Sequence, residues 1–284
     1  MFRDEAVSPF GGLNSTAFTH LRDLDYAGHG NPAQTLDLLL PPRGDGPPHP
    51  VVIYIHGGSW DSGEKEDGLV PLSLLASGDF ALVSINYRLT GEARWPAPLE
   101  DARAALAFLR ENAATWHLDP ERIGIVGVSA GGQIAGMLGT HAPGTTAPDG
   151  IRCVASFFGP TDFLSLVGHP ESLEPEEAAF AERFFGIAGP DLLETARRAS
   201  PVNWVGPDAA PFLLIHGTED EVVPFSQSEG MHAALLHAGV ESTMIPVAGA
   251  GHGFFVPALL EPVRQFLGRH LLDRADALPR RRAG

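Results

Sequence analysis

The chain has 284 residues, 44% of them hydrophobic and 19% charged, which supplies enough apolar side chain to exclude a disordered acidic polypeptide. Asp and Glu outnumber Lys and Arg by 35 to 19, a net charge of −16 that repels phosphate backbones and anionic lipid headgroups and excludes nucleic acid as an expected partner. The one cysteine, Cys153, lies in an apolar run and forms no intramolecular disulfide, so the core must hold the fold.

The first residues, Met1-Phe2-Arg3-Asp4-Glu5, carry acids where a secretory signal needs positive charge and an apolar stretch. No later apolar run approaches the about 18 residues of a membrane span, so the expectation is a cytoplasmic protein without membrane association. Short β-branched runs then alternate with stretches of helical spacing, which predicts βα units feeding a mostly parallel sheet. Residues 18–26 and 34–40 read as two opening strands, followed by a turn rich in proline and glycine over 41–50. The near-continuous apolar run Val51-Val52-Ile53-Tyr54-Ile55 fits a strand buried on both faces. A helix over 69–77 and a strand over 80–87 come next. Ala102, Ala105, Leu106 and Leu109 recur at helical spacing within 98–114, and a strand at 123–128 leads into a helix at 130–141.

After a strand at 153–158 the pattern breaks for about fifty residues. A structureless loop of that length is out of place in a compact domain, so a small helical cap is expected over about 160–210. Strands at 212–215 and 242–247, helices at 225–238 and 256–271, and a flexible tail over 273–284 complete the reading. The whole, 1–284, is expected to be a single domain with an eight-stranded sheet flanked by helices. Lys65 is the only lysine among 19 basic residues and is assigned no chemistry.

The strongest chemical signal is Gly127-Val128-Ser129-Ala130-Gly131, a G-x-S-x-G set between a strand and a helix. At so tight a turn side chains at the flanking positions clash, and the serine is forced into a strained conformation above the sheet, at a helix N-terminus that favours developing negative charge. A serine hydroxyl needs a base to take its proton and a third group to fix that base. Both follow later strands: Asp220 in His216-Gly217-Thr218-Glu219-Asp220-Glu221, and His252 in Gly249-Ala250-Gly251-His252-Gly253. The order Ser129, Asp220, His252 is that of a triad on an α/β-hydrolase sheet. Glu219, Glu221 and Asp162 are rivals for the acid, and His56 and His216, also at strand ends, read as structural. The histidines lack metal-ligand spacing, and neither metal nor cofactor is expected.

Donors for an oxyanion are expected from His56-Gly57-Gly58-Ser59-Trp60, right after a buried strand, together with the Ala130 N–H. Which of Gly57, Gly58 and Ser59 donates is left open by the residues alone. Trp60 is a candidate wall of the substrate pocket, with packing the alternative, and Phe163, Phe180, Phe184 and Phe185 are read in the same two ways.

These segments, with Asn86-Tyr87-Arg88-Leu89 and Trp95-Pro96-Ala97-Pro98, resemble the α/β hydrolases over about residues 34–270. Within them the His-Gly-Gly loop looks like that of hormone-sensitive-lipase-type esterases, feruloyl esterase-like proteins and arylformamidases. Ser59, where the lipase-type branch has a third glycine, favours the latter two. The resemblance implies a cofactor-free serine carboxylesterase acting on a small-molecule ester of a short-to-medium acyl group or an aromatic acid. It carries Ser129, Asp220 and His252 as the triad and Gly58, Ser59 and Ala130 as oxyanion positions, with Gly57 a neighbour. The alternatives are N-formyl amide or peptide cleavage with the same triad, and a non-catalytic ligand-binding relative. Family analogy also suggests a homodimer.

Overall fold

A computed structural model describes residues 5–7, 18–75, 78–140, 142, 150–167, 173–187, 190–254 and 257–272. The expected tail over 273–284 lies outside these residues. Strands β1 (Glu5–Val7), β2 (Phe18–Asp25) and β3 (Thr35–Leu40) open the chain. Then come β4 (His49–Ile55), α1 (Leu69–Leu75), β5 (Ala81–Ile85), α2 (Ala97–Glu111) and α3 (Ala113–Trp116). β6 (Leu118–Val128), α4 (Ala130–Gly139) and β7 (Ile151–Phe157) follow. Helices α5 (Phe163–Leu166), α6 (Pro175–Phe184) and α7 (Pro190–Ala199) intervene before β8 (Phe212–Gly217). α8 (Ser226–His237), β9 (Ser242–Val247) and α9 (Leu260–Leu271) close the fold.

All eight expected strands form, and the three-residue β1 adds a ninth at the edge, in the order β1-β2-β3-β5-β4-β6-β7-β8-β9. The sheet is parallel from β5 through β9, and β1, β2 and β3 are antiparallel to their neighbours. The strand order reverses at β4, whose neighbours are β5 on one side and β6 on the other, and such a switch opens a crevice at the carboxyl ends of the strands.

Because successive strand residues point to opposite faces, each strand feeds two cores. Val51, Ile53, Ile125, Val154 and Phe212 pack with α2, α4 and the helices between β7 and β8. Val52, Tyr54, Val126, Ala155 and Leu213 pack with α1 and α9. Helix α2 buries Ala102, Ala105, Leu106 and Leu109, the stripe its spacing predicts.

Lys65, which the sequence left without a role, is buried at 3% exposure. Its ammonium contacts Asp23 at 2.9 Å, Asp37 at 3.0 Å and Glu66, while His20 meets the other oxygen of Asp37 at 2.7 Å. Its backbone is tied to the neighbouring strand region by the Asn86 side chain at 2.7 Å and the Ser84 hydroxyl at 2.6 Å. The cluster thus fastens the segment between β4 and α1 to the antiparallel end of the sheet. Burial pushes the Asp37 carboxyl up, but hydrogen bonds from His20, the Asp23 N–H and Lys65 outweigh it and hold it below the usual aspartate value. A depressed carboxyl contributes stability above its unfolded pKa and loses it as pH falls through the lower folded value. Lys65→Met is therefore expected to destabilise the fold by about 3 kcal/mol at pH 7, because it strips a buried carboxylate of its cation. Urea unfolding at pH 7 and pH 3 checks this, with the loss shrinking at the lower pH as Asp37 protonates.

Candidate active site

The carboxyl ends of five parallel strands converge on one serine. Ser129 follows β6 with φ 51° and ψ −116°, a conformation L-residues rarely adopt. The flanking glycines are required by space: a Cβ on Gly127 would sit 2.3 Å from the Gly131 carbonyl oxygen, and one on Gly131 would sit 2.1 Å from the Ile55 carbonyl oxygen. The Ser129 N–H is occupied by the Phe157 carbonyl at 2.9 Å, so the turn is tied to β7 while the hydroxyl stands clear.

That hydroxyl lies 3.0 Å from Nε2 of His252, and Nδ1 of His252 lies 2.7 Å from Oδ2 of Asp220. A carboxylate only accepts, so Nδ1 carries the proton and Nε2 is left with a lone pair toward the serine. Oδ1 of Asp220 accepts from the N–H groups of Val222 at 3.0 Å and Val223 at 2.8 Å. Burial pushes this carboxyl up, yet the bonds from His252 and from Val223 and Val222 hold it below the ordinary aspartate range. It is the fixed anion of the cluster.

The rival acids are accounted for by their positions. Asp162 caps α5 by accepting from the Leu164 N–H at 3.0 Å, and Glu219 and Glu221 are exposed on either side of the buried Asp220. His56 stacks on Tyr87 with ring centroids 4.2 Å apart, and its Nδ1 meets the Gly57 carbonyl at 2.7 Å. Burial lowers its pKa, and Tyr87 donates its hydroxyl to the His56 carbonyl at 3.1 Å, so the pair braces the loop that follows β4.

Two contacts were not legible in the sequence. His216 is fully buried, with Nε2 at 2.8 Å from the Val223 carbonyl and 3.2 Å from Oδ2 of Asp220. Both partners accept, so Nε2 donates, and Nδ1 accepts from the Ser228 hydroxyl at 2.7 Å. Burial lowers its pKa and keeps it neutral, a second imidazole that fixes the same carboxylate oxygen as His252. Phe158, with φ 39°, lies edge-on to His252 at 4.7 Å between centroids. Only the position of His216 at a strand end hinted at the first, and nothing in the sequence signalled the second.

The loop after β4 turns through three successive left-handed residues, Gly58 (φ 104°), Ser59 (φ 53°) and Trp60 (φ 60°). The Gly58 carbonyl is taken up by the N–H groups of Asp61 and Ser62, each at 3.0 Å. Ala130 opens α4, where first-turn N–H groups lack an intrahelical acceptor. Gly57, Gly58, Ser59, Ser129 and His252 together line one cavity of about 390 Å³. Trp60 does not line it, which corrects its reading as a pocket wall. It is 4% exposed and packs on Phe184 at 4.3 Å and Phe163 at 5.6 Å between centroids. Phe163, Phe184 and Phe185 are likewise buried, so these rings join α5 and α6 to the sheet.

Among the described residues no group of three His, Cys, Asp or Glu side chains is placed to hold a metal, and no helix is long and apolar enough to cross a membrane. The arrangement brings together a nucleophile, a base with its lone pair toward that nucleophile, and a fixed anion behind the base, all beside an apolar cavity.

A family model described as BD-FAE matches residues 36–235. Esterase LipQ of Mycobacterium tuberculosis is 32% identical over 87% of this chain and 61% of its own length, and esterase LipC of the same organism is 32% identical over 86% and 62%. The chain thus spans about three fifths of the length of these relatives. Among solved structures, a truncated carbohydrate esterase from gut microbiota superposes with a TM-score of 0.78 at 26% identity, over 91% of this chain and 99% of that one. The shared architecture is the α/β-hydrolase fold.

Proposed function

We propose, from the premise that this chain belongs to the BD-FAE family, that it hydrolyses carboxylic esters of small molecules through an acyl-enzyme on Ser129. The observation that carries the reading is the continuous relay from the Ser129 hydroxyl through His252 to Asp220, at 3.0 Å and 2.7 Å. His252 Nε2 takes the hydroxyl proton as the oxygen attacks the ester carbonyl, and Asp220 stabilises the imidazolium that forms. The N–H of Ala130 and those of the 57–59 loop hold the oxyanion. Collapse of the tetrahedral intermediate expels the alcohol, which takes its proton from His252. Water, deprotonated by the same imidazole, then releases the acid and restores Ser129. Every proton moves between these groups and substrate or water, so the cycle needs no cofactor.

In this reading 1–284 is one domain with an inserted helical cap over about 160–210, and it works in the cytoplasm, where the buried, unpaired Cys153 suits a reducing compartment. A homodimer through β9, the edge of the sheet, or α9 belongs to the same reading, and light scattering on the purified protein tests it. No observation favours N-formyl amide cleavage. Hydrolysis of p-nitrophenyl butyrate, methyl ferulate and N-formylkynurenine tests the bond: esters are expected to turn over and the formamide to remain intact. Preferential cleavage of N-formylkynurenine would overturn the assignment.

A further inference from the structure

The cavity beside Ser129 lies on the opposite face of the sheet from the helices between β7 and β8. Its floor is Val126 and Phe157 of β6 and β7, and its walls include Pro71 and Leu75 of α1 and Leu260 and Val263 of α9. These helices belong to the core on one face, while Trp60, Phe163 and Phe184 belong to the core on the other. The sequence left the cap phenylalanines open between pocket lining and packing, and the period-2 alternation of the strands separates them from this cavity.

We propose that this cavity is the binding site for a linear, uncharged hydrocarbon chain of the ester, and that chain length is selected between α1 and α9. The proposal rests on the reading of Ser129 as nucleophile. Three features carry it. Among the described residues, no titratable side chain apart from His252 and the Tyr54 phenol lines the cavity, so a charged group entering it would lose its water without gaining a partner. Its polar groups other than the Tyr54 phenol, namely Ser129, His252 and the 57–59 loop, are those that would surround the ester carbonyl, which leaves the largely apolar remainder for a chain. The volume of about 390 Å³ holds roughly a dozen water-sized groups, enough for a chain of about six to ten carbons. Val222, 65% exposed, also contributes to its lining and leaves an apolar side chain in water where such a chain would enter.

The chain can be the acyl or the alcohol portion, and the experiment separates them. On the full-length protein, kcat/KM is measured for p-nitrophenyl esters from acetate to laurate and for acetates of linear alcohols from ethanol to decanol. One series is expected to rise about three- to fourfold per methylene, as burial of a CH2 group predicts, to an optimum at about six to ten carbons. Leu260→Trp, at a partly exposed position, fills the cavity and is expected to lower the ratio of the eight-carbon to the two-carbon rate in that series at least about tenfold. Leu75→Ala enlarges it and is expected to move the optimum to longer chains, which keeps the test open if the tryptophan variant does not fold. Phe180→Ala, on the other face, is expected to leave the ratio where it was. Flat profiles in both series, or a ratio that follows Phe180→Ala but not Leu260→Trp, would overturn the proposal. Calorimetry with octan-1-ol and Ser129→Ala reads the cavity without turnover. Binding that disappears when Leu260→Trp is added supports the site, and binding that persists unchanged refutes it. Native turnover by Ser129→Ala would instead sink the nucleophile assignment, leaving octan-1-ol to decide the cavity.

Discussion

Ser129→Ala is expected to lower kcat/KM for p-nitrophenyl butyrate by at least about 10⁴-fold, near 5.5 kcal/mol of transition-state stabilisation, with little change in the urea midpoint. The size follows from what the substitution removes. The hydroxyl is the atom that would bond to the acyl carbon, and without it His252 has only water to activate, while the oxyanion donors stay in place and sustain a residual rate. Stability should hardly move because the turn is fixed by other groups. The Ser129 N–H remains bonded to Phe157, and the clearances of Gly127 and Gly131 are unchanged. Alanine bears the same φ of 51° at the same cost as serine. Loss of activity with an intact unfolding curve therefore reports chemistry and not misfolding.

Asp220→Asn is expected to lower kcat by about 10³- to 10⁴-fold and to cost about 1–3 kcal/mol of stability. The amide must orient its oxygen toward the N–H groups of Val222 and Val223, which now bond Oδ1. Its NH2 then occupies the place of Oδ2, facing Nδ1 of His252 and Nε2 of His216, where both histidines present protons. Donor meets donor at both contacts. His252 escapes by moving its proton to Nε2, which points it at the Ser129 hydroxyl and abolishes the base. His216 is held by the Val223 carbonyl and Ser228, cannot escape in the same way, and carries the stability loss. Steady-state kinetics and urea unfolding measure the two effects separately. Activity within tenfold of native would return the role to Asp162, Glu219 or Glu221.

Much of this site was legible because its constraints are local. A serine between glycines at a strand-to-helix junction is dictated by backbone clearance, and the structure returns the 2.3 Å and 2.1 Å clashes that side chains there would make. Asp220 and His252 stood out because each directly follows a buried strand, and parallel strands deliver their following loops to one edge. The eight main strands were legible for the same reason, as apolar runs bounded by turn residues. The three-residue β1 was not, since three residues are too few for a period-2 pattern to stand out. The features left open or without a partner in the sequence are non-local. Trp60 sits in the loop beside the serine, yet its ring turns to Phe184, more than a hundred residues away. His216 and Lys65 gain their roles from partners on other elements, Asp220 and Ser228 for one, Asp23 and Asp37 for the other. The cavity was invisible because its floor and walls come from β6, β7, α1 and α9, whose meeting on one face depends on strand order and not on any one segment.

Acylation of the Ser129 Oγ during turnover is read out by covalent labelling with a fluorophosphonate followed by intact-mass and peptide mass spectrometry. One adduct per chain is expected, located on Ser129, formed in step with loss of esterase activity and absent from both Ser129→Ala and His252→Ala. An active protein that takes up no label, or carries it on a residue other than Ser129, would contradict acylation at Ser129.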